Sequence, residues 1–365
     1  MARKAVADNR ADERALDVVI EGASVFDGTG RLPFTADVGV RGDRIAAIGD
    51  LSGVPAARRI DACGLAVCPG FIDVHSHADM VLVRPDHAPI LEPLVRQGIT
   101  TFVGGNCGVA MAPIVDSARA DLYSFYDFFL GAPQDDNIRW TTFGGMMDTI
   151  ESQGCLLNAA VLAPHGILRI DTMGDSDVPA AAADIDGLTR LLHECFDAGA
   201  IGMSTGLQYF PGLCSDTGEL VRLAKVVHDR DGVFTSHLRS YNQSTMERAL
   251  DEVVEISRRA EVPVQVSHLF IVPELPFGLF GAAKVALRAA SRLYAHRPFH
   301  APLGGILQSF VDRATRHADA GLPLGFDAMP TSAAFTHLLA FLPPWAMRGG
   351  LGQVIERLGA LANAW

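Results

Sequence analysis

From Phe71 onward, short apolar runs alternate with stretches whose apolar positions recur every three to four residues, the signature of strands and amphipathic helices taken in turn. The runs at 71–75, 99–104, 156–162, 200–204, 233–237, 264–268 and 322–327 predict seven strands. Between them, Leu188, Leu191, Leu192 and Cys195 predict a helix over 185–197, and Met246, Ala249, Leu250, Val253, Val254 and Ile256 predict another over 244–260. Such alternation is expected of a parallel α/β sheet or barrel.

Upstream the rhythm is different. Residues 17–68 read as short strands broken by glycine turns: Asp17-Val18-Val19-Ile20, Ser24-Val25-Phe26 before Gly28-Thr29-Gly30, Asp37-Val38-Gly39-Val40 and Arg44-Ile45-Ala46-Ala47-Ile48. The expected organisation is a charged tail over 1–16, a small β lobe over 17–68 and an α/β barrel-like domain over 69–365. Between the sixth and seventh strands, the long connection 269–321 reads as an insertion or lid. It holds Pro273, Pro276, Phe277 and Phe280 and a helix expected from Gly281 to His296.

Composition narrows the class. A hydrophobic share of 49% with 20% charged residues and 36 glycines fits a soluble globular protein with many short loops. A net charge of −12 without a Lys/Arg cluster argues against nucleic acid and against an anionic membrane. No run of 18 apolar residues predicts a membrane span, and the charged start lacks the apolar stretch of a signal peptide, so the cytoplasm is the expected compartment. The six cysteines, at 63, 68, 107, 155, 195 and 214, show no Cys-x-x-Cys spacing and suggest neither a disulfide framework nor a zinc ribbon.

Chemistry concentrates at the predicted strand ends, where a parallel barrel assembles its site. The first strand runs into Asp73-Val74-His75-Ser76-His77, and side chains two apart on a strand share a face, so His75 and His77 can address one ion. Gly104-Gly105-Asn106-Cys107-Gly108 follows the second strand, Ser236-His237-Leu238-Arg239 ends the fifth, and Ser267-His268 ends the sixth. A mixed imidazole and thiolate set suits Zn2+ better than hard, oxygen-seeking ions. Five ligands accommodate two neighbouring ions, or one tight and one loose. His296, His300 and His317 have no strand end to aim them and read as surface histidines.

With these segments in view the chain resembles the amidohydrolase superfamily, and within it the D-aminoacylase (N-acyl-D-amino-acid deacylase) family. The resemblance rests on Pro69-Gly70-Phe71-Ile72-Asp73-Val74-His75-Ser76-His77, Gln97-Gly98-Ile99-Thr100-Thr101, Gly105-Asn106-Cys107-Gly108, Ser204-Thr205-Gly206-Leu207-Gln208-Tyr209 and Leu342-Pro343-Pro344-Trp345-Ala346. Cys107 discriminates, because related hydantoinases and dihydroorotases typically bridge their metals with a carboxylated lysine. The resemblance implies a (β/α)8 TIM-type barrel with a small β-sandwich lobe. Cys107, His237 and His268 would hold the tighter zinc, and His75 and His77 a second, weaker position. Asp73 and Asp79 would orient the imidazoles, and Tyr209 and Arg239 are candidate substrate contacts. The implied reaction is zinc-dependent hydrolysis of a linear amide, an N-acyl-D-amino acid, to a carboxylate and a D-amino acid. A cyclic-amide hydrolase and a non-catalytic or partner-dependent zinc-binding remnant are the competing readings.

The chain also departs from that pattern. After Leu342-Pro343-Pro344-Trp345 only one helical stretch, Gly352 to Leu361, is expected, with no eighth strand and no counterpart of the family's catalytic aspartate on it. The sequence therefore reads as C-terminally truncated, with weak or absent activity and with its first and seventh strands as unpaired edges. Asp327 is the remaining strand-end aspartate that could stand in as a base. It matches a family Asp-x-Tyr-Pro-Tyr segment that reads here Asp327-Ala328-Met329-Pro330-Thr331, without either tyrosine.

Overall fold

The computed structural model describes residues 15–114, 140–174, 176–272, 304–329, 346 and 350–362. The chain divides into two compact units between Phe71 and Ile72.

The first unit is a five-stranded sheet in the order β3-β2-β1-β4, with β5 also on β1. Its strands are β1 (Leu16–Val25), β2 (Phe34–Arg41), β3 (Arg44–Gly49), β4 (Ala56–Asp61) and β5 (Ala66–Val67). The two runs expected at 17–20 and 24–26 are one strand. β1 pairs antiparallel with β2 from Val18 opposite Val40 to Val25 opposite Phe34, and the register shifts between Ile20 and Ala23. Within that irregularity the Gly22 N–H leaves the ladder and donates to Asp37 Oδ1 (2.8 Å), while Asp37 Oδ2 accepts from Leu51 N–H (2.9 Å). β4 and β5 had no apolar alternation to announce them. They exist because β1 offers its free edge, taking β4 in parallel along its first half and β5 along its second. Leu16, Val19 and Leu51 form one buried cluster and Ala23, Val25, Val38 and Ala62 another.

The second unit follows the predicted alternation. Its strands are β6 (Phe71–Asp73), β7 (Ile99–Gly104), β8 (Asn158–Val161), β9 (Ala163–Pro164), β10 (Gly202–Gly206), β11 (Val233–His237), β12 (Val264–Val266) and β13 (Leu324–Phe326). They lie in two sheets, β6-β7-β8 and β13-β12-β11-β10-β9. The expected third strand, 156–162, is β8, and β9 follows directly beyond it. β8 pairs in parallel with β7 and β9 with β10, and between them Leu162 N–H donates to Gly104 O (3.0 Å). The seven predicted strands thus follow one another in chain order around a curved wall. The curvature brings the ends of the first and seventh together, where His75 Nδ1 lies 3.3 Å from Asp327 Oδ1. This is the barrel type of α/β architecture.

Helices cover the outside of the wall. Ala182–Asp197 and Met246–Ala260 begin within three residues of their expected starts. The second buries Met246, Ala249, Leu250, Val253, Val254, Ile256, Ser257 and Ala260, the stripe that its 3.6-residue period required. Each large apolar side chain so removed from water contributes roughly 1.5–3 kcal/mol. Fully buried Phe102, Met203, Phe234 and Val266 fill the wall behind them.

Part of the expected 269–321 insertion is ordinary barrel. Gly304–Asp319 is a helix leading into β13, with Phe310 and Ala314 buried in the main core and Arg313 paired with Asp251. Arg258 donates toward His317 Nδ1 (3.4 Å), so the expected surface histidine is half-buried at a helix junction. The helix expected at 281–296, His296, His300 and the Pro/Phe-rich stretch lie outside the described residues. So does Leu342-Pro343-Pro344-Trp345, while the last expected helix spans Gly350–Ala362. Among the described residues, no helix is long and apolar enough to cross a membrane.

Candidate metal centre

The turn after β7 is where the backbone is most constrained. Gly105 and Gly108 both have positive φ (71° and 73°), and a Cβ on Gly105 would lie 2.3 Å from Leu162 O, so neither position tolerates a side chain. Between them Cys107 is itself left-handed (φ 56°), an uncommon conformation for a residue with a Cβ. Ser204 on β10 holds the turn: its Oγ accepts from Gly108 N–H (2.9 Å) and donates to Gly105 O. Asn106, also buried, donates its Nδ2 to Val103 O (2.9 Å) and toward Ser76 O (3.4 Å), tying this turn to the one after β6.

That second turn corrects the sequence reading of the histidine pair. β6 ends at Asp73, so His75 and His77 sit beyond the strand, and their rings lie edge to face, 5.8 Å apart at 77°. The pair still converges on Cys107, through loop geometry and not through strand periodicity. Asp73 Oδ1 accepts from the His75 backbone N–H (3.1 Å), so it shapes the turn and does not touch an imidazole. Asp79 is wholly buried and neither oxygen has a hydrogen-bond partner. Burial pushes its carboxyl up to about 6, with the nearby His77 pulling the other way.

Three ligand atoms, on His75, Cys107 and His268, lie within 4.8 Å of one another. Cys107 Sγ is 3.4 Å from His75 Nε2 and 3.5 Å from His268 Nε2. His237, at the end of β11, places Nδ1 2.9 Å from His268 Nε2. His77 Nδ1 and His268 Nδ1 are buried without a hydrogen-bond partner.

The orienting carboxylate is Asp327, at the end of β13. It reaches His75 Nδ1 with both oxygens (3.3 and 3.4 Å) and accepts from His268 N–H (2.5 Å) and Gln265 Nε2 (3.2 Å). A carboxylate on one ring nitrogen fixes which nitrogen faces inward, here Nε2 of His75 toward Cys107. These contacts set Asp327 against the His75 ring and the His268 backbone, which orients both.

The electrostatics are those of a site built for a cation. Burial opposes ionisation of Cys107, and the surrounding imidazoles of His237, His268, His75 and His77 outweigh it, holding the thiol well below its ordinary range. Burial also opposes a charge on His75, but Asp327 and Cys107 overcome it and raise its pKa to about 10. For His237 burial wins and pushes the ring down to about 4. A metal bound here would compete with the proton that His75 holds.

Of the two candidate substrate contacts, Tyr209 lies in the cluster, its hydroxyl 3.0 Å from His237 Nδ1. Arg239 does not serve as expected. Its guanidinium makes a two-pronged ion pair with Glu252 (2.9 Å each) and donates to Leu213 O and Ser215 O, which braces the loop after β10.

Sequence reasoning missed four further groups. Gln208 Oε1 meets His237 Nε2 (3.0 Å). Tyr241, fully buried, accepts from Leu238 N–H and donates to Ser267 O (2.9 Å each), clasping the ends of β11 and β12. Ser204 and Asn106 hold the cysteine turn. Each is an ordinary polar residue whose role depends on a partner at least 26 residues away or on a turn's fold, and no local pattern marks it. A buried ionic group was missed too. Glu219 bridges Arg169 Nη1 and His165 Nε2 (2.9 Å), all three wholly buried, beside the backbone of Gly166, where a Cβ would meet Gly108 O at 2.8 Å.

The family model described as amidohydrolase matches residues 58–360. The N-acyl-D-glutamate deacylase of Alcaligenes xylosoxydans xylosoxydans is 40% identical over 258 residues, 70% of this chain and 50% of that protein. The D-aminoacylase of the same organism is 34% identical over 270 residues, 74% of this chain and 54% of that protein. Among solved structures, a D-aminoacylase described as defining a novel subset of amidohydrolases superposes with a TM-score of 0.67 at 32% identity, covering 87% of this chain and 59% of that one. The N-acyl-D-glutamate deacylase of Bordetella bronchiseptica, complexed with zinc and a phosphonate mimic of the tetrahedral intermediate, gives the same four values. The chain spans about half the length of the curated relatives it matches.

Proposed function

The chain belongs to the amidohydrolase family, and from that premise we propose that it is a zinc-dependent hydrolase of carbon–nitrogen bonds in linear amides, with N-acyl-D-amino acids as its substrate class. The observation that carries the reading is the position of Cys107. Its sulfur lies nearly equidistant from His75 and His268, where the cyclic-amide hydrolases of the superfamily would place a carboxylated lysine. Relatives that share the site's segments are named for deacylation of N-acyl-D-glutamate and N-acyl-D-aspartate.

The donor set fits zinc. A thiol poised to ionise, surrounded by imidazoles of which two have buried nitrogens without partners, is a soft mixed site. Cys107, His237 and His268 would hold the tighter ion and His75 and His77 a weaker one. Zinc supplies Lewis acidity, polarising an amide carbonyl and acidifying a water at neutral pH. The chain's own residues do the rest: Asp327 aims His75, Tyr241 fixes the ends of the strands that carry His237 and His268, and the Tyr209 hydroxyl lies beside His237 as a donor for a substrate oxygen. The compartment we propose is the cytoplasm, where free thiols such as the exposed Cys63, Cys68 and Cys155 stay reduced.

The test is metal analysis of the purified chain together with hydrolysis of a panel comprising N-acetyl-D-glutamate, N-acetyl-D-aspartate, a hydantoin and dihydroorotate. The expected result is bound zinc and release of amino acid from the N-acyl-D-amino acids. Turnover of the cyclic compounds alone would transfer the chain to the cyclic-amide class. Zinc without turnover of any of them would favour the non-catalytic reading, and absence of zinc would defeat both.

A further inference from the structure

His75 and His237 approach the cluster with different ring nitrogens, and the difference has a visible cause at each. His75 gives Nδ1 to Asp327, so Nε2 faces Cys107. At His237 the arrangement is reversed: Nε2 meets the Gln208 carboxamide oxygen at 3.0 Å, while Nδ1 points to His268 Nε2 (2.9 Å) and the Tyr209 hydroxyl (3.0 Å).

A carboxamide oxygen only accepts, so the His237 nitrogen facing it must carry the proton, and a neutral imidazole has one proton to give. A histidine that ligates a metal does so as the neutral imidazole, so only one nitrogen of His237 keeps a proton. Its ring is only 3% exposed, so solvent is poorly placed to replace an acceptor lost at Nε2. The loop that carries Gln208 is itself pinned to the histidine it serves, since Leu207 N–H donates to the His237 carbonyl (3.1 Å) and Tyr209 N–H returns to Gly206 O (3.2 Å). Gln208 is thus held in place from both neighbouring residues.

We infer that Gln208 is a positioning residue that locks His237 in the Nε2–H tautomer and so commits its Nδ1 lone pair to the metal. The inference rests on the metal-centre reading above and adds a residue to it. Without Gln208 the ring can carry its proton on either nitrogen, and the Nδ1–H form presents no lone pair to the cluster. The buried Nε2–H is also left without an acceptor, which destabilises the binding-competent form. The expected consequence is weaker zinc binding through an intact ligand set, by roughly 10- to 100-fold, the range for losing an outer partner of a ligating histidine.

The experiment compares the full chain with Gln208→Leu and Gln208→Glu, reading zinc affinity by chelator competition and the imidazole nitrogens by NMR of protein labelled with 15N-histidine. In the zinc-loaded wild type the expected spectrum shows a slowly exchanging Nε2–H on His237 and a metal-shifted Nδ1. Gln208→Leu should lose the protected Nε2–H and weaken zinc by 10- to 100-fold. Gln208→Glu, which keeps an acceptor in the same place, should recover most of the affinity. Wild-type zinc bound through Nε2 of His237 would overturn the inference, as would wild-type affinity in Gln208→Leu, and in both cases the metal-centre reading would stand. A wild type that takes up no zinc would remove both. Should Gln208→Leu fail to fold, the wild-type spectrum alone decides which nitrogen is protonated.

Discussion

Cys107 meets three demands that seldom coincide on one residue. Its backbone is left-handed, its side chain is buried, and its sulfur faces imidazoles. Burial alone would make such a thiol inert, so its reactivity toward metal depends on the histidines around it. Replacing it with alanine should abolish tight zinc binding with little loss of fold, measured by chelator competition beside circular dichroism; retained affinity would move the metal elsewhere. Asp327 acts one bond further out. In Asp327→Asn the zinc-free His75 loses its charged partner, and its pKa should fall from about 10 toward the ordinary imidazole range. A histidine-resolved NMR titration would show this, and an unchanged value would mean that Cys107 alone holds the proton.

At the level of elements, the cysteine turn is positioned by parts distant in sequence. Ser204 of β10 satisfies two of its backbone groups, and both would be stranded in a buried place by Ser204→Ala, at a cost of about 1–3 kcal/mol each before relaxation. The prediction is a lowered urea midpoint accompanied by weaker zinc binding; a lowered midpoint with unchanged affinity would show that the turn is held by its ligands instead. Behind it, the helices His165–Met173 and Thr217–Asp229 are joined by the Arg169–Glu219–His165 group. Glu219→Gln leaves Arg169 charged and poorly compensated, and should destabilise the second unit by about 3–5 kcal/mol in equilibrium unfolding. A cost under about 1 kcal/mol, the level of a surface pair, would mean that the group contributes no more than an exposed ion pair.

For the whole molecule, the same buried group predicts the response to acid. Burial lowers the pKa of His165, with Arg169 and Arg239 facing it and Glu219 partly offsetting them, so the folded chain keeps it neutral while the unfolded chain takes up a proton below about 6.5. Glu219 is opposed by burial but held down to about 2 by His165 and Arg169, against an unfolded value of 4.5. In both cases the unfolded state binds more protons than the folded one. Stability should therefore fall as pH drops below about 6.5 and fall further between 4.5 and about 2, read as the urea midpoint at fixed zinc. A midpoint that is flat from pH 7 to 4 would contradict this. Zinc works in the other direction, since only the folded chain assembles the cluster. At a free zinc concentration of 100 times Kd, the stabilisation over chelator-treated protein should approach about 2.7 kcal/mol.

The sequence by itself determined the strand order, the register of the amphipathic helices and the five candidate ligands, because periodicity and strand-end placement are local properties. His237 sits at the end of its strand as read, and His268 two residues beyond its own. Tertiary structure alone decided what each ligand can do. The fold moved His75 and His77 off the strand and set Asp327, 252 residues away, against the His75 ring, where Asp73 reaches only the backbone N–H. It also withdrew Arg239 into an ion pair and enlisted Gln208, Ser204 and Tyr241. A hydrogen bond between distant residues requires both to arrive at one place with matched donor and acceptor. Only the folding of the strands side by side brings them there, and no window along the chain contains it.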